Sequence, residues 1–305
     1  MSARLAAVAL PLLAGCATTP VPAPLAEAAS GQRAWAAACK DGDGWDKPGP
    51  PFRVYGQTYY VGTCGITALL VTSPQGHTLI DSGTDKGAEI VLANIRALGI
   101  EPRDVSTILM SHEHFDHVGG MARIQAATGT AIVATTEAAA VLRTGRPGKG
   151  DPQAASGHPP FPPVTGALLE LAPGKWVRVG TSVGRQGFMP IATPGHTPGA
   201  MSWQWENCEG SDCKTIVYVD SLNPISSDGY RFSDHPELVA GMRAGIARIA
   251  AADCDIVIAP HPGAVQLRER LLGNRPLIDR EGCRAFAATA TTRLDKRLAT
   301  EAAGG

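Results

Sequence analysis

His112-Glu113-His114-Phe115-Asp116-His117 crowds three imidazoles and two carboxylates into six residues. The apolar run 105–110 before it reads as a strand, and Gly119-Gly120 follows it. One histidine in a solvated loop is ordinary, but three beside an aspartate call for a metal. Zinc takes imidazole nitrogen and carboxylate oxygen at about 2.0–2.2 Å. Two further histidines stand in comparable places. Gly195-His196-Thr197-Pro198-Gly199 follows a strand-like run ending near Thr193, and Pro260-His261-Pro262 follows the run 256–259. Each ligand group therefore sits at the carboxyl end of a strand. Strand ends on one sheet edge can converge on a single point, which local spacing alone cannot achieve.

The surrounding pattern predicts an α/β fold. Strands are expected two or three times within 51–71, at 77–81 with Asp81 at the end, and at 105–110 and 131–134. Helices are expected over 89–98, where Ile90, Leu92, Ile95 and Leu98 recur at helical spacing before Gly99, and over 121–128 and 136–142. A Gly/Pro-rich loop fills 145–163, and a loop this long inside a domain is often functional. Strands follow at 168–179, 187–192, 200–205 and 215–219, then a helix over 235–251, a strand at 256–259 and a helix over 285–298. Strand-rich and helix-containing stretches thus occur once on each side of the loop. That predicts two βα halves packed as a sandwich with helices outside.

The chain has 305 residues, 44 % of them apolar, and a formal net charge of -1 with no long like-charge run. Nucleic acid is a poor partner for it, since such binding needs clustered Lys and Arg. Arg4, the short apolar stretch 5–13 and Leu13-Ala14-Gly15-Cys16 predict an export signal over 1–15, too short to span a bilayer. Leu-Ala-Gly-Cys resembles the lipobox of bacterial lipoproteins, which implies a lipid on Cys16. Ala17 after it implies the outer membrane; ordinary cleavage within 23–29 would instead leave a soluble periplasmic protein. Residues 16–38 are expected to be a Pro/Ala-rich tether, with one catalytic domain over 39–305. Beyond Cys16, six cysteines remain in an oxidising compartment, an even count that suggests three disulfides. Six cysteines allow 15 connectivities, and arithmetic selects none of them.

The motif His-x-His-x-Asp-His, then Gly-His-Thr-Pro-Gly, then a late His resembles the metallo-β-lactamase superfamily, over roughly residues 39–298. Tyr59-Tyr60-Val61-Gly62-Thr63-Cys64-Gly65 and Tyr218-Val219-Asp220-Ser221-Leu222 bring the likeness closer to the class B, subclass 3 enzymes, a carbapenemase type. The resemblance implies a four-layer αβ/βα sandwich and two Zn(2+) per monomer. His112, His114 and His196 would hold one zinc, and Asp116, His117 and His261 the other. It implies the disulfides Cys39–Cys64, Cys208–Cys213 and Cys254–Cys283.

It also implies hydrolysis of the amide bond of small-molecule β-lactams (penicillins, cephalosporins, carbapenems) by a zinc-bound hydroxide, conferring antibiotic resistance. Asp116 would orient the nucleophile, and no protein partner is implied. Ser221 and Asn223 match positions that touch the substrate carboxylate, although Asn223 departs from the usual Ser or Thr. Gln153 is a candidate lining residue, and Asp81 a candidate for fixing an imidazole. Phe115 is expected to pack, and Glu113 to be solvated or hydrogen-bonded rather than a ligand. Asp220 is the residue that bridges the metals in lactonase and thioesterase relatives; before Ser-Leu it is not expected to ligate. The rival activity is hydrolysis of a lactone or thioester in the same site, and the third reading is a non-catalytic zinc-binding lipoprotein.

Overall fold

The computed structural model describes residues 31–171 and 187–304. The export signal, Cys16, the tether up to residue 30 and the expected strand's continuation over 172–179 lie outside the described residues. Among the described residues, seven strands form the first sheet in sequence order. β1 (Phe52–Tyr55), β2 (Thr58–Tyr60), β3 (Leu69–Val71) and β4 (His77–Ile80) pair antiparallel. β5 (Val105–Leu109), β6 (Ile132–Thr135) and β7 (Leu168–Leu171) continue in parallel from β4.

The second sheet contains β8 (Met189–Ala192), β9 (Met201–Glu209), β10 (Asp212–Tyr218) and β11 (Ile256–Ile258), in the order β11-β10-β9-β8. β9 runs against both β8 and β10, and β11 runs with β10. β8, β10 and β11 therefore all end on the same side.

A parallel sheet must be covered on both faces, and the side chains alternate accordingly. Ile132 and Ala134 of β6 join the core on one face of the first sheet, while Val133 joins the core between the sheets. Helices α2 (Gly87–Ala97), α4 (Met121–Thr128) and α5 (Thr136–Thr144) cover the first face through Val91, Ile95, Met121, Ile124 and Leu142. The short α3 (Phe115–Val118) carries two of the candidate ligands. On the far side, α6 (Pro236–Ala251) and α8 (Gly282–Ala302) pack on the second sheet through Met242, Ile246, Ile249, Phe286 and Leu294. The layers are helix, sheet, sheet, helix, the expected αβ/βα sandwich. Thr135 caps α5 by accepting from Ala138 N–H, and Gly145 ends it at φ 66°, a left-handed conformation that favours glycine.

One boundary differs from expectation. The tether was expected to reach residue 38, yet Gly31–Ala38 is a helix, α1, with Trp35 and Ala36 buried. Trp35 stands edge-on to Tyr60 at 5.3 Å and tilted to Phe52 at 5.7 Å, so it belongs to the core between the sheets. Arg268, on α7 (Leu267–Leu271), donates to the carbonyls of Ala36 and Cys39, both at 3.0 Å, and closes the end of the segment.

The last turn of α8 is fixed by a buried charge. Glu301 accepts from Arg297 Nε at 2.6 Å, Ser233 N at 2.7 Å and Phe232 N at 2.9 Å. Burial alone would raise this carboxyl, but those donors outweigh it and bring it down to about 2. A depressed carboxyl contributes stability that is complete above the unfolded value of about 4.3 and fades as pH falls toward about 2. Glu301→Gln should therefore lower the thermal midpoint at neutral pH, and the gap from the parent should close between those two values. Melting curves across that range check this; a pH-independent gap would contradict it.

Candidate metal centre

The candidate ligands come from the carboxyl ends of β5, β8 and β11, with supporting residues from the ends of β4 and β10. Chain direction alone brings these ends together. Two bonds join the segment just before the 112–117 loop to the second sheet: Met201 N donates to Ser111 O at 2.6 Å, and Trp203 Nε1 to Met110 O at 2.8 Å. Gly120 lets the loop pass close to α2, since a Cβ there would lie 2.4 Å from Ala88 Cβ and 2.8 Å from Thr84 O.

His112, His114 and His196 form one trio, each offering a ligand atom within 4.8 Å of the others. Their rings stand edge to face, with centroids 4.7–5.0 Å apart. The outward nitrogens fix the tautomers, because a ring nitrogen that donates leaves its partner's lone pair free. His112 Nδ1 is hydrogen-bonded to Ser111 Oγ at 3.1 Å and lies 3.0 Å from Asp220 Oδ1, while its Nε2 is buried with no hydrogen-bond partner among the described residues. His196 Nδ1 donates to the carbonyl of Asn223 at 2.8 Å, which frees Nε2. His114 Nε2 pairs with Asp151 Oδ1 at 3.2 Å, which frees Nδ1.

Asp116, His117 and His261 form the second trio, again within 4.8 Å. His117 Nε2 lies 3.1 Å from Asp116 Oδ2 and 3.3 Å from His261 Nε2, and His261 Nε2 lies 3.5 Å from Asp116 Oδ2. The trios adjoin, with the rings of His112 and His117 only 4.2 Å apart. Burial, reinforced by the neighbouring imidazoles, pulls His196 down to about 3 and His261 to about 4. Both are neutral at working pH, the form that binds metal. Burial works against ionising Asp116, but the imidazoles of His117 and His261 outweigh it and hold the carboxyl well below the usual range. Converging lone pairs, one buried carboxylate and an unpartnered His112 Nε2 suit a pair of zinc ions.

The residues around the trios divide differently from expectation. Asp81 accepts from Ser111 N, Ser111 Oγ and Tyr218 OH, all at 2.7 Å, but stands 3.8 Å from His117 Nδ1. That last distance is too long for a hydrogen bond, so Asp81 anchors the backbone before the cluster and reaches an imidazole through Ser111 Oγ, which is bonded to His112 Nδ1. Asp220 belongs to neither trio and instead faces His112 from behind. Asn223 contributes its carbonyl to His196. Ser221 Oγ is buried without a partner among the described residues. Gln153 gives its backbone N–H to Asp151 Oδ1 at 2.8 Å; the carboxylate two residues earlier is the one that reaches a histidine.

Asp151 went unrecognised in the sequence, where it sits in a polar loop with no periodic signal. Phe115 packs between Trp45, at 5.3 Å, and His158, at 4.7 Å. Glu113 is buried, not solvated, and bridges to the His196 turn. The cysteines pair as Cys39–Cys64, Cys208–Cys213 and Cys254–Cys283.

Residues 61–209 match the family model of the metallo-beta-lactamase superfamily. The chain is similar to the MIM-2 metallo-beta-lactamase, at 48% identity and a TM-score of 0.81, covering 89% of this chain and 98% of that one. It is also similar to MEM-A1, a subclass B3 metallo-beta-lactamase isolated from a soil metagenome library, at 42% identity and a TM-score of 0.78, covering 86% and 100%. Among curated relatives, the N-acyl homoserine lactonase AttM of Azorhizobium caulinodans is 36% identical over 82 residues, which are 20% of this chain and 31% of that one. The chain spans about a third of the length of the first curated relatives it matches.

Proposed function

For this chain, which belongs to the metallo-beta-lactamase superfamily, we propose zinc-dependent hydrolysis of the β-lactam amide bond. One observation carries the reading. Two largely buried ligand trios with free lone pairs adjoin at one end of a fold that matches metallo-beta-lactamases over nearly their whole length. His112, His114 and His196 would hold one zinc ion, and Asp116, His117 and His261 the other. When bound, such ions supply Lewis-acid polarisation of the amide carbonyl and make water a nucleophile near neutral pH.

The chain's own residues do the rest. Ser111 Oγ, Asp151 and the Asn223 carbonyl take the outward ring protons of His112, His114 and His196, with Asp220 Oδ1 3.0 Å behind His112 Nδ1, so each imidazole presents its lone pair inward. Asp116 stays ionised, closes the second trio and accepts a hydrogen bond from the attacking water. Ser221, Asn223 and Gln153 are the proposed substrate contacts, with the Ser221 hydroxyl assigned to the substrate carboxylate. Water attacks directly, so no acylated serine forms. Penicillins, cephalosporins and carbapenems are the proposed substrates. Intact mass spectrometry during turnover should find product heavier by one water and no adduct on the protein; a trapped acyl-enzyme would overturn the mechanism.

Asp220 offers a sharper check. Asp220→Ala should weaken zinc binding about 10–100-fold, the usual cost of removing a partner behind a metal-binding histidine. Asp220→Asn should be largely spared, because an amide oxygen keeps a polar atom close behind His112 Nδ1. Equal losses in both variants would mean that the carboxylate itself ligates metal. Export to the periplasm and anchoring to the outer membrane through lipidated Cys16 complete the proposal. Mass spectrometry of the membrane fraction tests this, and an unmodified soluble N-terminus would remove it.

A further inference from the structure

Glu113 is a buried carboxylate that the hydrolytic mechanism leaves unused, only 4% exposed although the sequence puts it in a loop. Burying a charge is costly unless it is fully hydrogen-bonded. Both of its oxygens are bonded, and both bonds cross to another segment. Thr197 Oγ1 donates to Oε2 at 2.6 Å, and Gly199 N donates to Oε1 at 2.8 Å.

Those donors flank His196 on its carboxyl side, and Glu113 itself lies between His112 and His114. One carboxylate therefore ties together the two segments that supply the first trio, 84 and 86 residues apart in sequence. The far side of the turn is pinned as well. Thr135 Oγ1 donates to Gly199 O at 3.0 Å, and a Cβ on Gly199 would meet Thr135 Oγ1 at 2.6 Å and Ala138 N at 2.8 Å. Within the turn, Gly195 N donates to Thr197 O at 3.0 Å, with Gly195 at φ 146°. Held from both sides, the turn has little freedom in which to move His196.

We propose that Glu113 is a positioning residue that clamps the His196 turn to the 112–117 loop and so preforms the first trio before metal enters. The metal half of this proposal rests on the reading that the trio holds zinc; the clamp itself does not. Glu113→Ala removes both acceptors. Glu113→Gln keeps an oxygen for Gly199 N–H and offers an amide N–H to the Thr197 hydroxyl. Thr197→Val removes one donor at nearly constant volume.

Two readouts separate the clamp from general stability. In zinc-free protein, hydrogen exchange at the Gly199 amide should accelerate about tenfold or more in Glu113→Ala and stay near the parent rate in Glu113→Gln. In competition with a chromophoric chelator, one of the two stepwise zinc dissociation constants should rise about tenfold or more in Glu113→Ala. The other constant should hold, Glu113→Gln should bind like the parent, and adding Thr197→Val to Glu113→Ala should cause no further loss. The proposal is overturned if Glu113→Ala binds both ions as tightly as the parent, weakens both alike, or is matched by Glu113→Gln. A parent that takes up no zinc contradicts the proposed function and not the clamp, which the exchange arm then decides.

Discussion

Asp116→Asn should lower kcat for β-lactam hydrolysis about 10²–10⁴-fold even with zinc at saturation, the range expected for a group that handles a proton in the transition state. Asparagine keeps the shape and one oxygen but loses the charge. In the parent, that charge sits 3.1 Å from His117 Nε2 and 3.5 Å from His261 Nε2, and it stays ionised because those imidazoles outweigh burial. Two roles converge on it, ligation in the second trio and orientation of the attacking water. Excess zinc can restore only the first. If excess zinc returns full kcat, Asp116 is a ligand and nothing more; a deficit that survives saturation assigns it the second role too. Steady-state kinetics across a zinc titration separate the cases.

His196→Ala should release about one of the two zinc ions and lower kcat/KM about 10³-fold, equivalent to about 4 kcal/mol of transition-state stabilisation. His196 is the first trio's link to the second sheet, and the Asn223 carbonyl fixes its tautomer. Without it, His112 and His114 come from a single loop and cannot surround an ion. The second trio draws on other residues, so its ion should remain. Metal analysis by plasma mass spectrometry checks the stoichiometry; retention of both ions would remove His196 from the ligand set.

The ligands were legible because their chemistry is dense and local. Three histidines and an aspartate within six residues, and two more histidines at strand ends, left little room for another use. The strands and helices that carry them followed from periodicity, with boundary shifts of a few residues. The supporting partners were not legible, because each is a tertiary contact. Asp151 reaches His114 across 37 residues, and the Asn223 carbonyl reaches His196 across 27. Asp220 was weighed only for ligation, and was not expected to ligate; its position behind His112 depends on how β5 meets β10 across the two sheets. Glu113 read equally as solvated or bonded, since a loop residue's direction depends on what packs above it. Helix α1 was hidden in an Ala-rich stretch after a Pro-rich one, and what orders it is Trp35 seated between the sheets.

A substrate panel on zinc-loaded protein decides between the activities: nitrocefin, a penicillin and a carbapenem beside an N-acyl homoserine lactone and a glutathione thioester. The β-lactams should turn over, with activity abolished by a chelator and restored by zinc, and the lactone and thioester should be hydrolysed little. Inertness toward every β-lactam together with zinc-dependent turnover of the lactone or thioester would contradict the proposed β-lactam hydrolysis.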